Sequence, residues 1–314
     1  MSVVLDHNLF ERIQRIEAVG FSYTNQPKAH LEKCNLCGNS QFVALTHRDR
    51  YHFPSKAMAC QACGLVFLNP LMTADAYKTF YVEYQQSLLS AFYGRVVDTN
   101  TVQAKQRNYA EHLADLMWPF MTIKSNRNLL EIGSATGEIS QYLFDRFGFQ
   151  PTILDPNPLD TEQAKMLGLR TITGMLEEFE PDGQKYECIL LCRTANHLHD
   201  LAASLKKIKQ LLSWTGYFYI DILDFRAAYL RAGSLEDAIR LDHPCYYTEL
   251  TIESYLARIG FSVIRKNYIP NSNHIGYLCK HAEPKPDHVP QEAAVQELMR
   301  EMRQVQILSQ RTEV

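Results

Sequence analysis

Apolar positions along this chain follow two regimes, and the change near residue 127 divides it. Before that point the spacing is helical or irregular. Leu5, Leu9, Phe10, Ile13 and Ile16 recur at helical intervals and predict an amphipathic helix over 5–18. Residues 21–33 are polar around Pro27 and read as a linker. Residues 73–121 mix helix formers with Tyr77, Phe80, Tyr81, Tyr84, Phe92, Tyr93, Tyr109 and Trp118, which predicts a helical connector. From 127 onward short apolar runs alternate with helical ones. Strands are predicted at 128–132, 151–155, 169–173, 186–192 and 216–223, and helices at 137–147, 159–167 and 198–212. In the last helix Leu198, Leu201, Leu205, Ile208, Leu211 and Leu212 share a face, while Lys206, Lys207 and Lys209 read as its solvated side. Such alternation predicts an α/β fold, a parallel sheet with helices on both faces.

Residues 224–247 read as a long insertion, followed by a helix at 248–259 and a closing antiparallel pair near 261–268 and 275–280. Three prolines in 282–290 precede a last helix over 291–310. The expected organisation is an N-terminal helix and linker (1–33), a cysteine-bearing module (34–68), a helical connector (69–125), the α/β domain (126–281) and a C-terminal linker and helix (282–314).

Composition narrows the partners. Hydrophobic residues make up 46% of 314 positions, enough for a sizeable core. A formal net charge of −3 and a pI near 6.4 argue against a polyanion-binding protein, so nucleic acid is not the expected partner. No basic-then-apolar leader and no ~20-residue apolar stretch is present, so the expectation is a cytoplasmic chain with no membrane span.

In a reducing compartment paired cysteines point to metal before disulfide. Cys34-x-x-Cys37 and Cys60-x-x-Cys63 are separated by 22 residues, and each pair is followed by a glycine, Gly38 or Gly64. A two-residue gap lets two thiolates share one ion, and glycine lets the backbone turn sharply behind them. Two such turns predict a closed, tetrahedral, structural zinc site with no open position for catalysis. Four buried free thiols, or a redox pair, are the alternatives. His47 and His52 lie between the pairs and read as surface or substrate-facing residues rather than ligands.

The run from Leu129 to Glu138 is a strand, a glycine turn and a helix start: Glu131 closes the strand, and Gly133, Ser134 and Gly137 form the turn. Glycines there let backbone approach a ligand and present amides at a helix N-terminus. The spacing is G-x-x-x-G, not the dinucleotide G-x-G-x-x-G. Asp155 ends the next strand, 18 residues after Gly137, where an acid can hold ribose hydroxyls.

These residues resemble class I S-adenosylmethionine-dependent methyltransferases, over roughly 126–281. The resemblance implies a Rossmann-like methyltransferase sheet with S-adenosylmethionine as cofactor. It implies that Glu131, Gly133, Ser134 and Gly137 wrap the amino-acid and ribose part, that Asp155 with Pro156 holds the ribose, and that Met175 and Leu176 enclose the adenine. It places Cys192 and Arg193 near the methionine end. The ordered set Cys34-x-x-Cys-Gly, Asp49-Arg50-Tyr51, Cys60-x-x-Cys-Gly-Leu-Val-Phe, Asn69-Pro70 and Phe80-Tyr81 is similar to the zinc-bearing front of bacterial methyltransferases of sugar and polysaccharide pathways. That similarity implies a small, sugar-like or nucleotide-linked acceptor. The further C-terminal α/β domain of the group's sugar C-methyltransferases has no counterpart in the 314 residues, so oxygen, nitrogen and carbon remain open as the methylated atom.

Methyl transfer from a sulfonium needs in-line alignment and a route for one proton. His197, after the fourth strand, and His243, late in the insertion, are the candidate proton acceptors; Asp242 is placed to orient His243, and Tyr246 to shape the acceptor site. Arg226 and Arg231 are candidates to grip an anionic group. Two other functions fit parts of the pattern: an RNA methyltransferase gripping RNA through His47, Arg48, Arg50 and Lys56, or a non-catalytic interaction protein with a vestigial cofactor fold.

Overall fold

The computed structural model describes residues 2–120, 127–181, 183–269 and 272–312. In chain order the elements are α1 (Ser2–Glu17), β1 (Lys28–Ala29), β2 (Phe42–Thr46), β3 (Ala57–Cys60), β4 (Val66–Leu68), β5 (Leu71–Met72), α2 (Ala74–Glu83), α3 (Gln85–Tyr93) and α4 (Thr99–Met117). There follow β6 (Arg127–Ile132), α5 (Glu138–Phe147), β7 (Phe149–Asp155), α6 (Pro158–Met166), β8 (Arg170–Thr173), β9 (Tyr186–Leu191), α7 (Leu201–Leu211) and β10 (Leu212–Leu223). The last are α8 (Phe225–Ala232), α9 (Leu235–Ala238), β11 (Cys245–Tyr246), α10 (Glu249–Ile259), β12 (Phe261–Tyr268), β13 (His274–His281) and α11 (Glu292–Thr312). The chain divides into two units. One comprises Thr99–Asp224 and Tyr247–Val289; the other comprises Met1–Asp98, Phe225–Tyr246 and Pro290–Val314.

The first of these, the α/β unit, holds a seven-stranded sheet in the order β12-β13-β10-β9-β6-β7-β8. Five strands are parallel, and β12 and β13 close the sheet antiparallel, as the sequence pattern predicts. The carboxyl ends of β6, β7, β8, β9 and β10 therefore share one edge, the edge where open α/β sheets bind ligands. Helix α4 belongs to this unit, so the unit starts at Thr99 rather than at the expected 126. The reason is burial. Tyr109, Ala110, Leu113, Ala114 and Met117 form one helical stripe packed with Leu129, Ile139, Leu143 and Leu190. A buried leucine of this kind contributes about 1.5–3 kcal/mol, which ties α4 to the sheet whatever its polar remainder suggests.

Helix α7 begins at Leu201, not Leu198, because the Asp200 carboxylate accepts the Ala203 N–H (2.9 Å) and caps it. Leu212 already belongs to β10. Two lysines read as solvated are instead engaged. Lys207 donates to the Glu177 carbonyl (3.0 Å) and the Glu180 carboxylate (3.1 Å), and Lys209 donates to the carbonyls of Ile259 (3.0 Å) and Ala282 (2.9 Å).

The second unit, the cysteine-bearing one, carries a four-stranded antiparallel sheet ordered β11-β4-β3-β2 and a two-stranded pair, β1 with β5. The predicted linker 21–33 thus contributes a short strand. The insertion, expected within the α/β domain, is stitched to the cysteine-bearing sheet. Cys245 pairs with Phe67 and Tyr246 with Val66. The Asp49 carboxylate, fully buried, accepts N–H bonds from Tyr51 (3.0 Å), Phe53 (3.0 Å) and Leu241 (2.9 Å). Tyr77 and Tyr81 donate to the carbonyls of Leu241 (3.1 Å) and Asp242 (3.0 Å). Among the described residues no helix is long and apolar enough to cross a membrane.

Candidate functional site

At the carboxyl edge the chain leaves β6 through a turn with three residues at positive φ: Gly133 (71°), Ala135 (50°) and Gly137 (80°). The first and last need glycine for more than φ. A Cβ on Gly133 would meet the Thr194 side chain at 2.4 Å, and one on Gly137 would meet Leu169 at 2.9 Å. The turn is held from three directions. Gly133 N–H donates to the Leu154 carbonyl (2.8 Å), and Ala135 N–H donates to Asp155 Oδ2 (2.9 Å). Gln106, on α4, donates to the Ser134 carbonyl (2.8 Å) and accepts from Thr136 Oγ1 (2.7 Å). Gln106 escaped the sequence reading, since nothing local marks a helical glutamine as the partner of a turn 28 residues on.

Glu131 is fully buried, and one of its oxygens accepts from Ser140 Oγ (2.5 Å). Its other oxygen, Oε1, is buried with no hydrogen-bond partner among the described residues, as is Ser134 Oγ. A buried carboxylate oxygen without a donor is costly unless a ligand supplies one. Burial pushes the Glu131 carboxyl up to about 7, despite the Ser140 bonds that pull it down. Asp155 is pushed up to about 7 as well, again by burial, against the amides of Asn157 and Ala135. Both of its oxygens accept backbone N–H bonds, so in this structure it first fixes the glycine turn; each oxygen keeps a lone pair for a further donor.

The remaining predicted cofactor residues are spread along the same edge. Pro156 follows Asp155 and is half-buried. Met175 lines a cavity of about 540 Å3 with Thr173, Gly174 and Phe179, whereas Leu176 is 3% exposed and turned into the core. Cys192 is buried, and burial raises its thiol. Arg193 is exposed at positive φ (54°), with its guanidinium 4.9 Å from the Tyr109 ring centroid and its N–H donated to Asp221. Thr194 Oγ1 donates to the Gly133 carbonyl (3.1 Å), which joins the loop after β9 to the glycine turn.

His197 ends a 3-10 turn, Ala195–His197, at the carboxyl edge of the α/β unit and is half-buried. His243 and Tyr246 belong to the cysteine-bearing unit and are 3% and 1% exposed. Asp242 does not orient His243 as expected. Its carboxylate is taken bidentately by Arg240 (3.0 and 2.6 Å), and His243 Nε2 lies 4.0 Å away, beyond hydrogen-bond range. The Tyr246 hydroxyl accepts the Arg240 N–H (2.8 Å) and donates to the Arg240 carbonyl (2.5 Å), which makes it a clasp of the insertion. Arg226 is held by Glu301 (2.9 and 2.6 Å) rather than free for an anion.

Cys34, Cys37, Cys60 and Cys63 converge, with all four sulfurs within 4.8 Å of one another. Cys34 and Cys63 sulfurs are 3.5 Å apart, and those of Cys37 and Cys60 are 3.6 Å apart. A disulfide requires about 2.0 Å, whereas tetrahedral thiolates on one zinc at about 2.3 Å sit about 3.8 Å apart. The two halves repeat one turn: Gly38 N–H donates to the Cys34 carbonyl and Gly64 N–H to the Cys60 carbonyl, both at 2.9 Å, and both glycines have φ of 76°.

Comparison with known proteins places this geometry. Residues 102–266 match the family described as "Methyltransferase domain". No curated protein matches the chain. Similar solved structures include an S-adenosylmethionine-dependent methyltransferase from Clostridium acetobutylicum (15% identity, TM-score 0.47, covering 57% of this chain and 92% of that one). Others are the CcbJ methyltransferase from Streptomyces caelestis (14%, TM-score 0.45, 57% and 90%) and the plantazolicin methyltransferase BpumL in complex with SAH (15%, TM-score 0.49, 65% and 93%). No functional weight rests on likenesses this distant. With the family match spanning just over half of its length and the glycine turn inside that span, the chain belongs to the methyltransferase-domain family and is an S-adenosylmethionine-dependent methyltransferase.

Proposed function

We propose that the enzyme transfers a methyl group from S-adenosylmethionine to a small, polar, sugar-like acceptor, and that a structural zinc holds the four-cysteine cluster. The observation that carries the cofactor half is the unpartnered Oε1 of Glu131 beside the Gly133 turn. The residues fit the cofactor in chemistry. A buried carboxylate suits an α-ammonium, amides of a left-handed turn suit a carboxylate, and Asp155 suits paired ribose hydroxyls. When bound, S-adenosylmethionine supplies an electrophilic methyl on a sulfonium.

The rest is this chain's own work. Glu131 and Asp155 bind, the loop from Cys192 to Thr194 borders the methionine end, and Met175 borders the adenine. Support for a small acceptor comes from the net charge of −3 and from the resemblance of the cysteine-bearing front to sugar-pathway methyltransferases. Of the predicted proton acceptors His197 and His243, His197 is on the carboxyl edge of the sheet. Calorimetric titration with S-adenosylmethionine tests the cofactor, and is expected to show micromolar, one-to-one binding. Radiolabelled methyl transfer to a panel of nucleotide-linked sugars, with RNA as comparator at low and high salt, tests the acceptor. Label on RNA that falls steeply with salt would replace the sugar reading.

A further inference from the structure

A third buried carboxylate stands on the same edge, and the cofactor reading leaves it unused. Asp221 lies near the carboxyl end of β10 and is fully buried. Its Oδ1 accepts the Arg193 N–H. Its Oδ2 accepts from the Tyr109 hydroxyl (2.8 Å), whose oxygen lies 2.9 Å from the Tyr219 hydroxyl, and lies 3.6 Å from His274 Nδ1. His274 opens β13 and pairs in register with Leu223, while Asp221 pairs with Gly276. Because β13 runs antiparallel to β10, its first residue emerges where β10 ends.

His274 Nδ1 is buried and, at 3.6 Å, lies beyond hydrogen-bond range of Asp221, while the side chain retains 19% exposure. A carboxylate this close favours the protonated ring, so a histidine here is electrostatically suited to take up a proton. The place fits too. Neighbouring strands are ~4.8 Å apart, and the sheet runs β13-β10-β9-β6-β7. The pair thus lies on the side of the glycine turn away from Asp155, towards the methionine end. The loop after β9 connects the two: Arg193 N–H is on Asp221, and the next residue, Thr194, is on Gly133.

Resting on the cofactor reading above, we propose that His274, beside the Asp221 carboxylate, accepts the acceptor's proton during methyl transfer, in place of His197 and His243. The acceptor's lone pair forms the new bond to the methyl carbon, and the carbon–sulfur bond breaks with its electron pair left on sulfur. The acceptor's proton passes to His274 Nε2, and the imidazolium so formed faces the Asp221 carboxylate. Tyr109, with Tyr219 behind it, and the Arg193 backbone N–H keep that carboxylate fixed.

The test needs no acceptor. The His274 ring is followed by NMR across pH in the whole protein, with His274→Gln identifying its signal, first with S-adenosylhomocysteine and then with S-adenosylmethionine. The two ligands differ by a methyl group and one positive charge on sulfur. A ring facing the reacting centre titrates about one pH unit or more lower with the sulfonium bound, from Coulomb repulsion at several ångströms. Asp221→Asn should lower the midpoint in both complexes. Equal midpoints with both ligands bound would overturn the assignment while leaving cofactor binding intact. Failure of either ligand to bind in calorimetry would overturn the cofactor reading instead, and this inference with it. If Asp221→Asn does not fold, the comparison of ligands in the unaltered protein decides.

Discussion

The four-cysteine cluster and the glycine turn use the same backbone device, glycine at positive φ behind a group that must be approached closely, and reach opposite ends with it. At the cysteines the turn closes. Gly38 and Gly64 serve two equivalent knuckles, and four sulfurs meet one another. At the sheet edge the turn stays open. Gly133 and Gly137 clear space, while Glu131 Oε1 and Ser134 Oγ remain buried with no protein partner among the described residues. A site completed by its own side chains is built for stability; one left a donor short is built for a visitor.

The largest expected effect tests the closed site. Structural zinc is worth about 10–16 kcal/mol to small modules at neutral pH. Chelation, or Cys60→Ser, should abolish the thermal transition of the cysteine-bearing unit and expose its thiols to a colorimetric reagent. Persistence of that transition, with the thiols still protected in chelator, would show that no metal is needed. Next comes the open site. Gly133→Val combines a non-glycine φ of 71° with a Cβ at 2.4 Å from Thr194. Left-handed backbone alone costs about 1–2 kcal/mol, and lost ligand space adds more, so affinity for S-adenosylmethionine should fall about a hundredfold or beyond detection. Binding within threefold of the unaltered protein would remove the turn from the site.

Glu131→Gln should weaken binding about ten- to a hundredfold, the scale of one hydrogen bond to a charged group at ~1.5–3 kcal/mol. The companion measurement is pH. Glu131 and Asp155 sit up near 7 in the free protein, chiefly through burial, and a cationic or hydroxylic ligand favours their ionised forms. Binding then releases protons, and affinity should rise with pH up to about 7 and level off above. Without ligand the sign reverses: both groups hold protons more tightly folded than unfolded, so their stabilisation is complete below about pH 4 and is lost as pH rises through about 7. A flat affinity profile between pH 5.5 and 8 (about the span of those shifts) would contradict the burial of these carboxylates. Smallest is Gln106→Ala, which removes two bonds from the turn and should cost about fivefold in affinity.

Legibility in the sequence followed locality. The strands of the parallel sheet, the glycine turn with Glu131, and the doubled cysteine pairs are all written within a few neighbouring residues, so periodicity and spacing reveal them. Pairings across the chain leave no such trace. Gln106 and Thr136, Asp221 and His274, and β11 with β4 each join residues whose local patterns are ordinary. Asp242 shows the reverse error. Its neighbour His243 made it look like an orienting carboxylate, while Arg240, two residues back, holds it instead. Proximity in sequence is a guide to backbone geometry and a poor one to which side chains meet.

The pairing of Cys245 with Phe67 also constrains how the molecule is made. Synthesis delivers β2, β3 and β4 early, but the strand that flanks β4 emerges only after most of the α/β unit has left the ribosome. Until then β4 presents an unpaired edge, the kind of surface that recruits stray strands. The knuckles at Cys34 and Cys60 lie upstream of that gap, so early metal capture would hold the half-built sheet in register while the nascent chain waits for its missing strand.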